Sequence, residues 1–125
     1  MVLLRYRAWL KEDKEMIDVE EINFSNGEFD FIGDAITWMC KSDDCVLMQS
    51  TGLTDKNGKE IFEGDLVKMA KNVYSEPTNY EVVRHRGGAY RLESKQYGCE
   101  LWLRHTDCEI AGNIYTDPEL AEVSS

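Results

Sequence analysis

Four cysteines, two histidines and a spread of carboxylates are the residues of this chain that could carry chemistry. Cys40 and Cys45 have four residues between them, the upper edge of the spacing that makes a chelating zinc knuckle, while Cys99 and Cys108 have eight between them. His105 and Cys108 could supply half of such a site. Against zinc, Cys108 shares its strand parity with Ile110 and Ile114, so small, partly buried thiols are the preferred reading. Nucleophilic catalysis needs a thiol or hydroxyl beside a base, and no local pattern couples a cysteine to His85 or His105. Asp43, Asp44, Asp55, Glu60, Glu63 and Asp65 are numerous enough for a metal-dependent nuclease, which wants two or three carboxylates on one cation. Asp55, however, precedes Asn57-Gly58 and reads as a turn residue bonding its own backbone. Asp65 after Gly64 reads as a tie where the chain enters a strand. No catalytic residue, metal or cofactor is expected, and the chain is not read as an enzyme.

The stretch "RHRGG" is the remaining chemical feature. It puts Arg84, His85 and Arg86 at a loop tip, with Arg91 on the returning strand, in a chain of 14 basic and 24 acidic residues. A two-residue Gly87-Gly88 loop would set Arg84 opposite Arg91, which is unfavourable unless an anion or a carboxylate joins them. Diagonal neutralisation by Glu81 and Glu93 is the favoured account; an anion-binding tip is the alternative.

The elements that position these residues are mostly strands. "LLRYRAWL" alternates, with Leu4, Tyr6, Ala8 and Leu10 on one face and Leu3, Arg5, Arg7 and Trp9 on the other. After the charged turn "KEDKE", Ile17 and Val19 share one parity and Ile22 and Phe24 the other, which predicts a β-bulge near Glu20–Glu21. Asn26-Gly27 predicts a type I′ hairpin, and Phe29 and Phe31 resume the alternation. Ile36, Trp38 and Met39 fit either a short helix or a strand, followed by a polar loop "KSDD". "VLMQ" is a short strand, Asn57-Gly58 a second hairpin turn, and "LVKM" a strand after "FEGD". Pro77 marks "AKNVYSEPTN" as a loop. "ELWLR" and "CEIAGNIY" are the last strands, and Asp117-Pro118 starts a short terminal helix. Many short strands with glycine turns predict a mainly β barrel or sandwich.

Composition bounds the function. An apolar share of 42% over 125 residues supports one domain with a modest core. The formal charge of −10 repels phosphate backbones and lowers the expectation of nucleic-acid binding without excluding a local basic patch. No apolar run approaches the about 18 residues of a membrane span. The opening "MVLLRYRAWLKED" is too short in apolar residues for a signal peptide, so the cytoplasm is the expected compartment.

Three blocks carry a family likeness: "RYRAWLKEDKEMI", "LMQSTGLTDKNGKEIFEGDLVK" and "IAGNIYTDPEL". In type and order they resemble the YopX family of phage and prophage proteins, and together they span nearly the whole chain. Thr51, Gly52, Asp55, Asn57, Gly58, Gly64, Asp65, Gly112, Asn113 and Tyr115 stand at the motif positions and are read as structural. The resemblance implies a small SH3-like β-barrel over 51–125 joined to an N-terminal β-meander over 1–50, a phage or prophage origin and a tendency to self-associate. It carries over no catalytic residue, because the function of the family is unknown. The chain departs from the pattern at "SDDC" and between 70 and 108, and its four cysteines lie outside the motif. The expected function is a non-enzymatic, self-associating protein-interaction module in the bacterial host cytoplasm, with a host or phage protein as a further partner. Sheet edges and the aromatics Trp9, Tyr74 and Trp102 are its candidate contacts. The alternative is a nucleic-acid-associated regulator using Arg84, His85, Arg86 and Arg91.

Overall fold

The computed structural model describes residues 5–33, 38–70, 72–85, 88–94 and 97–123. The readings that involve Leu3, Leu4, Ile36, Arg86 and Gly87 lie outside these residues. The fold is mainly β, and the chain divides into two compact units, Met1–Gln49 and Ser50–Ser125.

In the first unit β1 (Tyr6–Leu10) and β2 (Glu15–Val19) form a hairpin, with Leu10 opposite Glu15 and Tyr6 opposite Val19. The other edge of β1 takes the first half of β6 (Cys45–Thr54), from Leu10–Cys45 to Tyr6–Gln49. Ala8 and Leu10 turn inward together, as the period of two requires. A second sheet has the order β3 (Ile22–Ser25), β4 (Glu28–Gly33), β5 (Met39–Lys41). The β3–β4 turn is Asn26-Gly27 with φ of 55° and 82°, both in the left-handed region that a type I′ turn demands. Ala8, Leu10, Ile32 and Cys45 form the core, with Ile17, Val19 and Ile22 packed against it.

The phase change near Glu20–Glu21 is not a bulge within one strand. It is a break between strands: β2 pairs with β1, whereas β3 pairs with β4 in the other sheet. The Gly33 N–H donates to the Glu21 carbonyl across that break (3.0 Å). A chain passing from one sheet to another must change which face points inward, so a sheet change leaves the same parity slip as a bulge. A register shift does occur further on, between Asn23 and Phe24.

The second unit begins within β6, which extends the expected short "VLMQ" strand to ten residues. Its Ser50–Thr54 part pairs with β7 (Glu60–Phe62). A five-stranded antiparallel sheet follows in the order β11 (Gly98–Glu100), β10 (Tyr90–Glu93), β9 (Thr78–Arg84), β8 (Asp65–Met69), β12 (Glu109–Asn113). Ile61, Val67, Met69, Tyr80, Val82, Leu92, Leu101 and Cys108 are buried together. Tyr80 and Tyr97 meet edge to face at 6.0 Å, the favoured aromatic geometry.

"ELWLR" is not a strand. Leu101–Arg104 is a single helical turn, α1, followed by a 3₁₀ turn over His105–Asp107. Leu101 is buried while Trp102 and Leu103 face solvent. Four residues cannot separate the two periods, and here the core accepts one side chain only. The terminal helix α2 (Pro118–Val123) starts at its proline, and the Asn79 side-chain amide donates to the Leu120 carbonyl on it (3.2 Å).

Candidate functional site

The signature loop organises itself around two buried carboxylates. In the β6–β7 hairpin the Asp55 N–H donates to the Lys59 carbonyl (2.8 Å) and the Gly58 N–H to the Asp55 carbonyl (3.0 Å). Three residues therefore lie between the closing pair, and Gly58 alone takes the left-handed conformation (φ 81°). The same Asn-Gly dipeptide that made a two-residue turn at 26–27 makes a longer one here. The cause is Asp55, whose Oδ1 accepts the N–H groups of Asn57 and Lys59 (2.9 Å each). Its Oδ2 accepts the Ile110 N–H of β12 (3.0 Å), so one carboxylate holds both the turn and a distant strand. Burial works to raise the Asp55 pKa, but the bonds from Ile110, Lys59 and Asn57 outweigh it and hold the carboxyl below its ordinary value. Lys56 N–H to Cys108 O (2.9 Å) and His105 Nδ1 to Thr54 O (2.8 Å) complete the seam. Because a carbonyl only accepts, Nδ1 of His105 carries the proton there.

Asp65 does a similar job at the next turn. Its Oδ2 accepts the Phe62 N–H (2.8 Å), and Gly64 between them sits at φ 88°. The Gly64 N–H donates to Val82 O and its carbonyl accepts from Ile114 N–H, joining the turn to β9 and to the end of β12. Upstream, Thr51 Oγ1 donates to Ile61 O (2.7 Å), and Gly52 (φ 79°) bends the strand where the β6–β7 register shifts. At the closing block Asn113 Oδ1 accepts the N–H groups of Tyr115 and Thr116 (3.0 and 2.9 Å). A Cβ on Gly112 would collide with the Asp117 carboxylate, whose Oδ2 accepts from the Asn113 N–H and the Thr116 hydroxyl. All ten motif residues thus belong to turns and seams of the second unit.

The β9–β10 hairpin differs from the expected one by a residue. His85 N–H donates to Ala89 O (2.8 Å) and Gly88, at φ 88°, donates to His85 O (3.0 Å), so the loop holds three residues rather than two. The register becomes Arg84 opposite Tyr90 and Arg91 opposite Val83. Arg84 and Arg91 are therefore not cross-strand partners, and the predicted like-charge clash does not arise. Arg91 instead binds Glu100 on β11 (Nη1 to Oε1, 2.6 Å) and Glu93 (Nε to Oε1, 3.3 Å). His85 Nε2 reaches the same Glu93 oxygen at 3.0 Å. Glu93, but not Glu81, is thus a neutralising partner, and Glu100 is the one that the sequence did not reveal. Glu81 stands directly opposite Glu93, and burial followed by that neighbour raises its pKa. Of the four cationic candidates, His85 and Arg91 are committed to carboxylates, Arg84 is engaged elsewhere in the chain, and Arg86 lies outside the described residues.

The thiols are free and fall into both units. Burial above all pushes Cys45 and Cys108 up to about 12, the protonated state that makes a poor first nucleophile. Cys108 donates to the Arg104 carbonyl (3.3 Å) and is fully enclosed. Among the described residues, no group of three or more His, Cys, Asp and Glu side chains converges as a metal site would need.

Two surface features remain among the described residues: a cleft that was not expected, and an apolar set that contains the expected contacts Tyr74 and Trp102 and adds Val73 and Leu103. One is a cleft of about 490 Å³ in the first unit, walled by Asp13, Glu15, Asp18, Glu20 and Glu21 over Ile17, Val19 and Trp38. Its only advance signal was the acid density of "KEDKE" and "DVEE". The other is a set of solvent-facing apolar side chains on the second unit: Tyr74 is 95% exposed, Val73 90%, Trp102 64% and Leu103 59%. Arg104 Nη2 donates to Ala70 O (2.9 Å), which ties α1 to the start of the loop that carries Val73 and Tyr74. Reading "ELWLR" as a strand hid Leu103 from this set. No described helix is long and apolar enough to cross a membrane.

Comparison with known proteins gives a consistent result. The family model described as YopX protein matches residues 5–122. The crystal structure of protein EF1440 from Enterococcus faecalis is similar at 26% identity, with 97% of this chain and 99% of that one covered and a TM-score of 0.71. The crystal structure of protein yopX from Bacillus subtilis shares the fold at a TM-score of 0.66, with 21% identity over 96% of this chain and 98% of that one. Comparison with curated proteins returns no match.

Proposed function

This chain belongs to the YopX family, and from that premise we propose that it is a non-enzymatic interaction module of phage or prophage origin that self-associates in the cytoplasm of a bacterial host. The observation that carries this reading is the exposure of Val73, Tyr74, Trp102 and Leu103 on the second unit. Single exposed apolar residues are ordinary, but large aromatics on linked segments are the side chains most enriched at protein contacts. An adjacent Trp-Leu pair on one helical turn, next to a leucine that is fully buried, keeps most of its surface in solvent. The β6–β7 hairpin and the five-stranded sheet support taking the second unit as an SH3-like barrel. Its edges are short: β11 has three residues, and the Asp55 loop bonds along β12, which favours side-chain contacts over strand addition.

Size-exclusion chromatography with light scattering tests the proposal. The wild-type chain is expected above monomer mass, and Trp102→Ser with Leu103→Ser is expected to return it to monomer. A wild-type monomer at high concentration would refute self-association, and affinity capture from host lysate would then ask for a different protein. The nucleic-acid alternative has a weaker footing, since His85 and Arg91 already hold carboxylates within the chain. A low-salt gel shift abolished by Arg84→Ala with Arg86→Ala would restore it.

A further inference from the structure

Cys40 lies on β5 opposite Ile32, and Cys45 opens β6 opposite Leu10. The two strands belong to different sheets of the first unit, and only the turn Ser42–Asp44 separates them. Both thiols converge on one atom, with the Cys45 Sγ 3.5 Å and the Cys40 Sγ 3.9 Å from the Lys41 carbonyl oxygen. They also share an apolar cluster with Ala8, Leu10 and Ile32. Their access differs. Cys45 is buried, whereas Cys40 is half-buried and lines a cleft of about 440 Å³ together with Leu10, Asp13, Trp38 and Met39.

We propose that Cys40 and Cys45 form a peroxide-sensitive dithiol, in which Cys40 is oxidised from the cleft and Cys45 resolves it to an intramolecular disulfide joining the two sheets. In the first step a hydroperoxide transfers one oxygen to the Cys40 sulfur. The O–O bond breaks, the sulfur is oxidised to sulfenic acid, and the peroxide is reduced to water or an alcohol. In the second step the Cys45 sulfur attacks that of Cys40. The S–S bond forms, the S–O bond breaks, and the hydroxide leaves with the Cys45 proton as water.

The order follows from access. Burial, with Cys40 beside it, holds the Cys45 thiol near 12, which suits it poorly to meeting an oxidant in solvent. Once the electrophile is its own neighbour, proximity replaces acidity as the main advantage. The spacing that looked like a marginal zinc knuckle serves here as a donor pair aimed at one carbonyl. The other two cysteines offer an internal comparison: Cys108 is fully enclosed and directs its thiol to Arg104 O, and Cys99 is raised by burial.

The test is peroxide treatment of the full chain, alkylation of the remaining thiols, and peptide mapping by mass spectrometry. A Cys40–Cys45 cross-linked peptide, lighter by two hydrogen atoms, is expected, with Cys99 and Cys108 recovered alkylated. In Cys45→Ser, Cys40 is expected to stop at sulfenic acid and to be trapped by dimedone. Cys40→Ser, at the less buried position, guards against misfolding and is expected to leave Cys45 unoxidised. Sulfinic acid at Cys40 in the wild type, a cross-link between chains or to another cysteine, or equal oxidation of Cys45 in Cys40→Ser would each overturn the proposal.

Discussion

Removing the Asp55 carboxylate is the sharpest test of how the signature loop works. Asp55 is 4% exposed and accepts N–H groups from Asn57, Lys59 and Ile110. A hydrogen bond to a charged group contributes about 1.5–3 kcal/mol, so three would nominally exceed 4 kcal/mol. Asn57 and Lys59 lie in an exposed loop where water can replace the carboxylate, while Ile110 is half-buried. Counting one bond in full and two in part gives a loss of about 3 kcal/mol for Asp55→Ala and about 2 kcal/mol for Asp55→Asn. Asparagine retains one acceptor oxygen but turns an N–H₂ towards a donor. Urea unfolding followed by circular dichroism should show a lower midpoint at unchanged slope. The pH dependence gives a second, independent readout. The folded pKa lies below the ordinary 3.8, so the stabilisation is complete above that value and is lost as pH falls through the folded one. The gap between wild type and Asp55→Asn should therefore be constant from pH 7 to about 4.5 and close below 3.8. A loss under about 1 kcal/mol, or a gap unchanged at pH 3, would show that the loop does not depend on this carboxylate.

Three further outcomes are expected. Gly112→Ala forces a Cβ against Asp117 Oδ2 and should cost about 1–3 kcal/mol by displacing the Asn113–Asp117 turn, seen as a lowered thermal midpoint. Gly27→Ala meets open space, so its cost should be only the left-handed backbone term of about 1 kcal/mol, measured by the same melt. Glu81→Gln should stabilise the chain at pH 7 by up to about 1 kcal/mol, because burial of the Glu81 carboxylate, and then Glu93 opposite it, disfavour the charged form. The protonated Glu81 already supplies that relief below its ordinary 4.5, so the advantage of glutamine should disappear in melts below that pH.

Much of the local architecture was legible because it is encoded within a few residues. Alternation put Ala8 and Leu10 on one face, which the structure buries, Asn26-Gly27 specified a two-residue turn, and Asp117-Pro118 marked the start of α2. The three motif blocks identified the family, since their glycines and carboxylates meet backbone demands that leave few substitutes. What misled was any feature whose meaning depended on a distant partner. The parity slip at Glu20–Glu21 has the same form whether a strand bulges or changes sheet, and only the pairing of β2 with β1 and β3 with β4 separates the two. "ELWLR" offered too few residues to choose a period, and the choice fell to a core with room for Leu101 alone. The β9–β10 register turned on one residue of loop, which moved Arg91 from facing Arg84 to binding Glu93 and Glu100.

By itself, then, the sequence determined the family, the mainly β class and the places where the chain turns at Asn26-Gly27 and Asn57-Gly58. These follow from short-range sterics and periodicity, which act within a few residues. Only the tertiary structure decided which charges neutralise one another, which aromatics remain in solvent, and that Cys40 and Cys45 aim at a common oxygen. Each of those depends on strand register and on the turns that set it, where a shift of one residue exchanges cross-strand partners.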